Sequence, residues 1–283
     1  MGSEIVSADS RQIYKYLDIG TAKPALEQRR LVRHHFVDEL LPDQLYSAGR
    51  FGTEGRRTID EIYRRGRIPV VTGGSGLYIR SLIDGLFEGP AADPEIREIL
   101  EQRVTADGIG SLLEELKRFD PVTAAVSDLA KPRRIIRALE VYYLTGTPLS
   151  KHHAESVPRI GFTPLLFGLE WERSDLYRRI ELRCEEMLRS GLLKEIEKLE
   201  GMGYDRKLNA LNTVGYAEGF AYRAGEMSFE EMVRLFKQNS RQFAKRQLTW
   251  FRKDQRIRWV KMAGEMSAEE VAGKIANLLG INV

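Results

Sequence analysis

Three short stretches carry residue types that could do chemistry. In "VSADSRQIY" (Val6–Tyr14) an apolar run ends on Asp9 and is followed at once by Ser10, Arg11 and Gln12. A carboxylate at a strand tip can accept a proton or orient a nucleophile, though it also commonly caps the next helix. In "TGGSGLYI" (Thr72–Ile79) Gly73, Gly74 and Gly76 leave room for a ligand to approach the backbone, and Ser75 adds a hydroxyl. The same pattern also makes a tight strand-to-helix turn with no ligand. In "LYRRIELR" (Leu176–Arg183) Arg179 and Arg183 share a helix face. Their guanidinium forks suit phosphate or diphosphate, unless Glu181 and Glu185 neutralise them along the helix.

These residues need elements to hold them. Strand-length apolar runs occur at Glu4–Asp9, His34–Leu40, Ile68–Gly74, Pro164–Trp171 and Ile257–Met262. Three of them are continuously apolar, as in buried parallel strands. Helical patterns lie between them, so the chain reads as α/β with a central parallel sheet. Ligands of such sheets gather at the carboxyl ends of the strands, where Asp9 and the Gly-rich turn both fall. Residues 93–159 hold no convincing strand and read as an all-helical insertion, opened by Asp93 as N-cap and Pro94 at the first helical position. The expected division is therefore a core of residues 1–92 and 160–283, with 93–159 inserted. No internal repeat or low-complexity segment is evident.

Composition narrows the partners. The 283 residues include 42% hydrophobic ones, enough for a sizeable core, and a net charge of only +3. The charge is uneven: Lys237–Lys261 carries nine Lys or Arg and one acid, Asp254, interleaved with Phe243, Trp250, Phe251 and Trp259. "KPRRIIR" (Lys131–Arg137) adds four more cations. Basic stripes with aromatics suit a polyanion such as nucleic acid; a solvated helix face with its aromatics in the core is the alternative. One cysteine, Cys184, excludes an internal disulfide and fits a reducing cytoplasm. His34-His35 and His152-His153 lack zinc spacing. No apolar run approaches the ~18 residues of a membrane span, and no leader pattern opens the chain.

At this point the stretches converge. "SADSRQIYKYLDIGTAKP" (Ser7–Pro24) closely resembles a block of the tRNA dimethylallyltransferases, which prenylate adenosine 37 of certain tRNAs. "TGGSGLYI" is similar to that family's GGTGLY block, with Ser75 in place of the common Thr. "ADPEIR" (Ala92–Arg97), "RRIIRALEVYYLTG" (Arg133–Gly146), "LYRRIELR", "NTVGY" (Asn212–Tyr216) and "AKRQLTWFR" (Ala244–Arg252) have counterparts in the same order. The resemblance runs from Glu4 to about Val260. It implies a P-loop-NTPase-like core with a helical insertion, dimethylallyl diphosphate and tRNA as substrates, and Mg²⁺. By resemblance Asp9 is the general base and Arg179 stabilises the leaving diphosphate, with Arg183, Gly73 and Gly74 beside it. The resemblance also implies tRNA contacts at Asp9, Ser10, Arg11, Gln12, Ser75, Arg97, Pro132, Arg133, Arg134, Ile135, Ile136, Asn212, Thr213, Val214, Gly215, Tyr216 and Ala217. A monomer or weak dimer in the cytoplasm, without membrane contact, is expected.

One departure stands out. The family's first strand leads into a GxxxxGK[ST] loop and a helix ahead of "EIVSAD", and this sequence contains no such motif. A strand–loop–helix unit of roughly 25–30 residues is thus expected to be missing, with Met1-Gly2-Ser3 an alternative start, a misassigned start or an expression scar. No metal ligand is identifiable, because the loop's Ser/Thr is absent. Losing about three charge-assisted hydrogen bonds would weaken diphosphate binding by roughly 5–9 kcal/mol. The alternatives are a truncated, inactive or weakened tRNA-binding form, a small-molecule kinase-like protein, or a plain RNA-binding protein.

Overall fold

The structure is a computed structural model that describes residues 2–86, 89–90, 93–127, 131–155, 161–264 and 266–280. The expected domain boundaries at 92–93 and 159–160 involve Ala92, Arg159 and Ile160, which lie outside the described residues.

The first half of the chain forms β1 (Ser3–Ser7), α1 (Leu26–Leu31), β2 (His34–His35), α2 (Ala48–Arg64), β3 (Ile68–Thr72), α3 (Gly76–Asp84), α4 (Pro94–Asp107), α5 (Ile109–Phe119), α6 (Pro121–Ala125), α7 (Pro132–Thr145) and α8 (Leu149–Glu155). The second half forms β4 (Leu166–Trp171), α9 (Arg173–Arg189), α10 (Leu192–Gly201), α11 (Tyr216–Arg223), α12 (Phe229–Phe251), β5 (Ile257–Met262) and α13 (Ala268–Leu279). The chain divides into two compact units. One comprises the described residues up to Tyr46, Gly55–Ile79 and those from Phe162 onward; the other comprises Ser47–Glu54 and the described part of Arg80–Gly161.

The first unit is α/β, and every strand pairing in it is parallel. The expected single central sheet is corrected to two small ones, ordered β2-β1-β3 and β4-β5. Both edges of β1 are occupied, and β4 pairs with β5 along its whole length, so no ladder joins the two sets among the described residues. The expected strand His34–Leu40 is corrected to His34–His35. Phe36 and Asp38 turn to positive φ (61° and 59°), which ends the extended ladder, and Lys23 and Arg29 hold the Asp38 carboxylate in that turn. β3 is not buried as its apolar run suggests: Ile68, Val70 and Val71 are 45%, 41% and 37% exposed. β1 does enter the core, through Val6, and Ala8 just beyond it is buried too.

The second unit is helical. Asp93 accepts the Glu95 and Ile96 N–H groups at 2.9 and 3.0 Å and starts α4, with Pro94 as the first helical residue. Pro132 opens α7, and Gly146 closes it in the left-handed conformation that glycine tolerates best. Leu100, Leu112, Leu116, Ile135, Ile136 and Leu139 interlock as the core of this unit.

Buried charge ties β1 to its surroundings. The Glu4 side chain is 2% exposed and is paired with Arg65 Nη2 at 2.8 Å and His35 Nε2 at 2.7 Å. The Arg65 hydrogen bonds dominate and, with His35, bring the Glu4 carboxyl down from 4.5 to about 2 despite the opposing effect of burial. A carboxyl lowered by folding stabilises the fold above its unfolded value and loses that contribution as pH falls. Glu4→Gln should therefore be less stable than the parent at pH 7. The gap should close between pH 4.5 and about 2, as read by denaturant unfolding at a series of pH values. A gap independent of pH would show that the Glu4 charge is not what matters.

Candidate active site

Asp9 sits two residues past β1, and its carboxylate is oriented by its own chain. Oδ1 accepts the Arg11 N–H at 2.8 Å and the Gln12 N–H at 3.3 Å. No hydrogen bond within the described residues uses Oδ2. A short side chain bonded to N–H groups two and three residues on locks its rotamer, so one oxygen is held while the other stays available.

The Gly-rich turn lies against this tip because β3 pairs with β1 in register, Ser7 opposite Thr72. Ala8 N–H donates to the Thr72 carbonyl, and Ser75 N–H returns to the Ala8 carbonyl at 3.2 Å. Ser75 Oγ accepts the Ser10 N–H at 3.0 Å. Gly73 and Gly76 are needed for this packing, and Gly74 leaves room for the Gln247 amide. A Cβ on Gly73 would lie 2.4 Å from Ala8 backbone atoms, one on Gly74 2.0 Å from Gln247 Nε2, and one on Gly76 2.3 Å from the Trp250 indole. Close approach to the turn is thus made by the protein's own β1 tip and α12.

Arg11 is half-buried, with no hydrogen bond or ion pair to its guanidinium among the described residues. Burial lowers its pKa, and the neighbouring Tyr14, Tyr78 and Asp9 work against that. A desolvated guanidinium without a carboxylate is suited to an anionic ligand. Gln12, by contrast, is fully engaged: its Oε1 accepts from Ser7 Oγ at 3.0 Å, and its Nε2 donates to the Thr21 and Ala22 carbonyls.

Within α9, Arg178 and Arg189 pair with Asp175 and Glu186, whereas Arg179 and Arg183 have no acid partner among the described residues. Glu181 pairs with Arg241, and Glu185 with Lys237, both at 2.6 Å. Neither glutamate pairs within α9, and Arg179 lies over the Trp171 ring, 4.2 Å from its centroid. The same pairs thin out the basic stretch. Lys237, Arg241, Arg252 and Arg256 face Glu185, Glu181, Glu170 and Asp254. Lys245, Arg246, Lys253, Arg258 and Lys261 remain without a carboxylate among the described residues.

Comparison with known proteins decides the family. The IPP transferase family profile matches residues 12–254. The chain belongs to the IPP transferase family. It is 43% identical over 277 residues to the tRNA dimethylallyltransferase of Pelotomaculum thermopropionicum, covering 98% of this chain and 88% of that protein. It is 45% identical over 261 residues to the enzyme of the same name from Acetivibrio thermocellus, covering 91% and 83%. Among solved structures, the full-length tRNA isopentenylpyrophosphate transferase of Bacillus halodurans superposes with a TM-score of 0.70 at 35% identity, covering 98% of this chain and 87% of that one. A eukaryotic dimethylallyltransferase acting on tRNA shares the fold, with a TM-score of 0.79 at 24% identity.

Several expected contact residues of this family member have buried side chains. Ile135 and Ile136 point into the helical core, where their side chains cannot meet RNA; Arg133 and Arg134 of the same turn are exposed. Tyr216 is fully buried, its hydroxyl donating to Glu195 Oε1 at 2.6 Å; burial, then that carboxylate, raises its pKa. Gly215 is buried too, its N–H held by Glu218 at 2.7 Å. Asn212 and Ala217 stay exposed, and Thr213, Val214 and Pro132 are half-buried.

Glu195 and Glu140 were not singled out in the sequence: Glu195 lies outside the quoted blocks, and Glu140, inside "RRIIRALEVYYLTG", reads there as one acid in a helical run. Glu195 also accepts the N–H groups of Asp18, Ile19 and Gly20 and so holds the loop that follows the Asp9 block. Arg97, in the helical unit, gives its fork to Glu140 at 2.8 and 3.1 Å. Burial alone would raise the Glu140 carboxyl, but Arg97, Arg137 and the Asp93 N–H hold it below its usual value.

Arg97→Ala should accordingly act on stability. Removing one partner from a buried ion pair typically costs about 3–5 kcal/mol; here only Glu140 is buried, Arg97 is 43% exposed and Arg137 remains, so the loss should fall below that range. Calorimetry should show a clear fall in Tm, with tRNA affinity well below the Tm changed only a few-fold. Unchanged Tm with lost affinity would make Arg97 a direct RNA contact.

Proposed function

We propose that this chain transfers a dimethylallyl group from dimethylallyl diphosphate to N6 of adenosine 37 in the anticodon loop of tRNA. Membership of the IPP transferase family supports transfer over the kinase-like alternative. The observation that carries the chemistry is the half-engaged Asp9 carboxylate, with Oδ1 fixed by two backbone N–H groups and Oδ2 open.

An adenine N6 amine is a poor nucleophile because its lone pair is delocalised into the ring. In the proposed step N6 forms a bond to C1 of the dimethylallyl group, and the C1–O bond to diphosphate breaks. The N6 proton passes to Asp9 Oδ2, and diphosphate leaves with the electron pair. General-base help of this kind is worth about 10²–10⁴ in rate. Charge grows on the diphosphate, and Arg179, held over the Trp171 ring, is a cation suited to stabilising it. Arg183 and the Gly73 and Gly74 N–H groups are further candidates. The adenine must leave its stack to react. We assign Arg11, Arg133, Arg134 and the unpaired cations of residues 245–261 to the RNA backbone.

Mg²⁺ is part of the proposal. Bound with the diphosphate, it would offset part of that group's negative charge; among the described residues no three His, Cys, Asp or Glu side chains cluster to hold a metal. Among the same residues, no helix is long and apolar enough to cross a membrane.

Asp9→Ala should lower the single-turnover transfer rate about 10²–10⁴-fold while leaving tRNA affinity within a few-fold, as measured by rapid quench beside filter binding. Undiminished transfer would remove Asp9 from the mechanism. tRNA binding itself should weaken with salt. Each phosphate-binding cation removed, as in Arg11→Met or Lys245→Ala, should reduce the log–log slope by about 0.7–0.9. A dissociation constant indifferent to salt would move the RNA site off these cations.

A further inference from the structure

We propose that Gln247 of α12 is a positioning residue for prenyl transfer: it holds the Gly-rich turn and, through Ser75, the tip that carries Asp9. The proposal rests on the reading of Asp9 as proton acceptor.

Gln247 Nε2 donates to the Gly74 carbonyl at 2.9 Å, across 173 residues of chain. Gly74 lies between the end of β3 and the start of α3, outside both elements. From Gly74 the connection is short. Its neighbour Ser75 donates N–H to the Ala8 carbonyl and accepts the Ser10 N–H on Oγ. Ala8 and Ser10 flank Asp9, so one side-chain amide on α12 is linked to both neighbours of the reacting carboxylate.

Packing makes this link stiff. The turn is clamped, with the Ala8 backbone against Gly73 on one side and Gln247 and Trp250 against Gly74 and Gly76 on the other. Gln247 and Trp250 lie three residues apart on α12, so they face the turn together. Without the amide, the Gly74 carbonyl loses its partner and the turn can rotate. A misplacement of ~1 Å at a reacting group can lower a rate by about 10²-fold.

The test compares Gln247→Leu and Gln247→Glu with the parent, each well below its Tm. Gln247→Leu should lower the single-turnover rate about 10–100-fold, with the KM for tRNA and for dimethylallyl diphosphate within about threefold. Gln247→Glu adds a signature that simple loss of packing does not give. Its introduced carboxyl donates to the Gly74 carbonyl only when protonated. The rate of this variant relative to the parent should therefore recover as pH falls through the pKa of that group. In either variant at neutral pH, amide exchange at Ser10 should quicken, since its N–H is held by Ser75 Oγ. This readout requires no turnover. It therefore stands even where Gln247→Leu fails to fold, through Gln247→Glu at low and neutral pH.

Parent-like rates and Ser10 exchange in both variants would overturn the proposal. So would a loss confined to the KM for tRNA, which would make Gln247 an RNA contact. Asp9→Ala, measured in parallel, separates the two readings. Full activity there removes the proton-acceptor role, while the Ser10 exchange result still reports on the clamp. With both readings correct, adding Gln247→Leu to Asp9→Ala should slow transfer little further, because the amide acts through the carboxylate it positions.

Discussion

The parallel, in-register pairing of β1 with β3 is the constraint on which the site depends. Ser7 lies opposite Thr72, so both strands end at the same level and both exits leave the sheet on the same side. Parallel strands always deliver their carboxyl ends together, which is why such edges collect ligand-binding residues. Here one exit carries Asp9 and the other the Gly-rich turn. Two hydrogen bonds, Ser75 N–H to the Ala8 carbonyl and Ser10 N–H to Ser75 Oγ, join them beyond the last ladder pair. A slip of one residue would turn the side chains of one strand to the opposite face and separate the exits.

Carboxylates organise the rest. Glu4 anchors β1 to Arg65 and His35, Glu195 gathers three successive loop N–H groups and the Tyr216 hydroxyl, and Glu140 holds Arg97 and Arg137 in the helical unit. Each is buried or half-buried and has several donors, the condition under which a desolvated charge is tolerated. Asp9 differs in that only one of its oxygens is engaged. That contrast separates the proposed proton acceptor from the acids that hold structure, and the number of engaged oxygens is not visible in the sequence.

The cations follow the same logic. A chain with net charge +3 and a dense basic stretch invites a simple polyanion-binding reading. In the folded unit, α9 and α12 lie side by side, and the glutamates of one neutralise several cations of the other. This leaves a smaller set of cations without acid partners among the described residues. The redistribution is a tertiary effect, because it depends on which helix faces which.

The sequence by itself determined the local features. Continuous apolar runs marked the parallel strands, Asp93-Pro94 and Pro132 marked helix starts, and the ordered blocks from Ser7 to Arg252 marked the family. These signals were legible because apolar patterning, capping and motif spacing act over a few residues. Tertiary structure alone decided the remainder. The strands divide into two sheets, His34–Leu40 breaks at positive φ, and Ile135, Ile136 and Tyr216 turn inward. The glycines at 73, 74 and 76 proved to accommodate Ala8, Gln247 and Trp250. Each of these outcomes depends on contacts between residues far apart in sequence. A glycine that admits a ligand and one that admits another part of the chain look alike until both surfaces are in place.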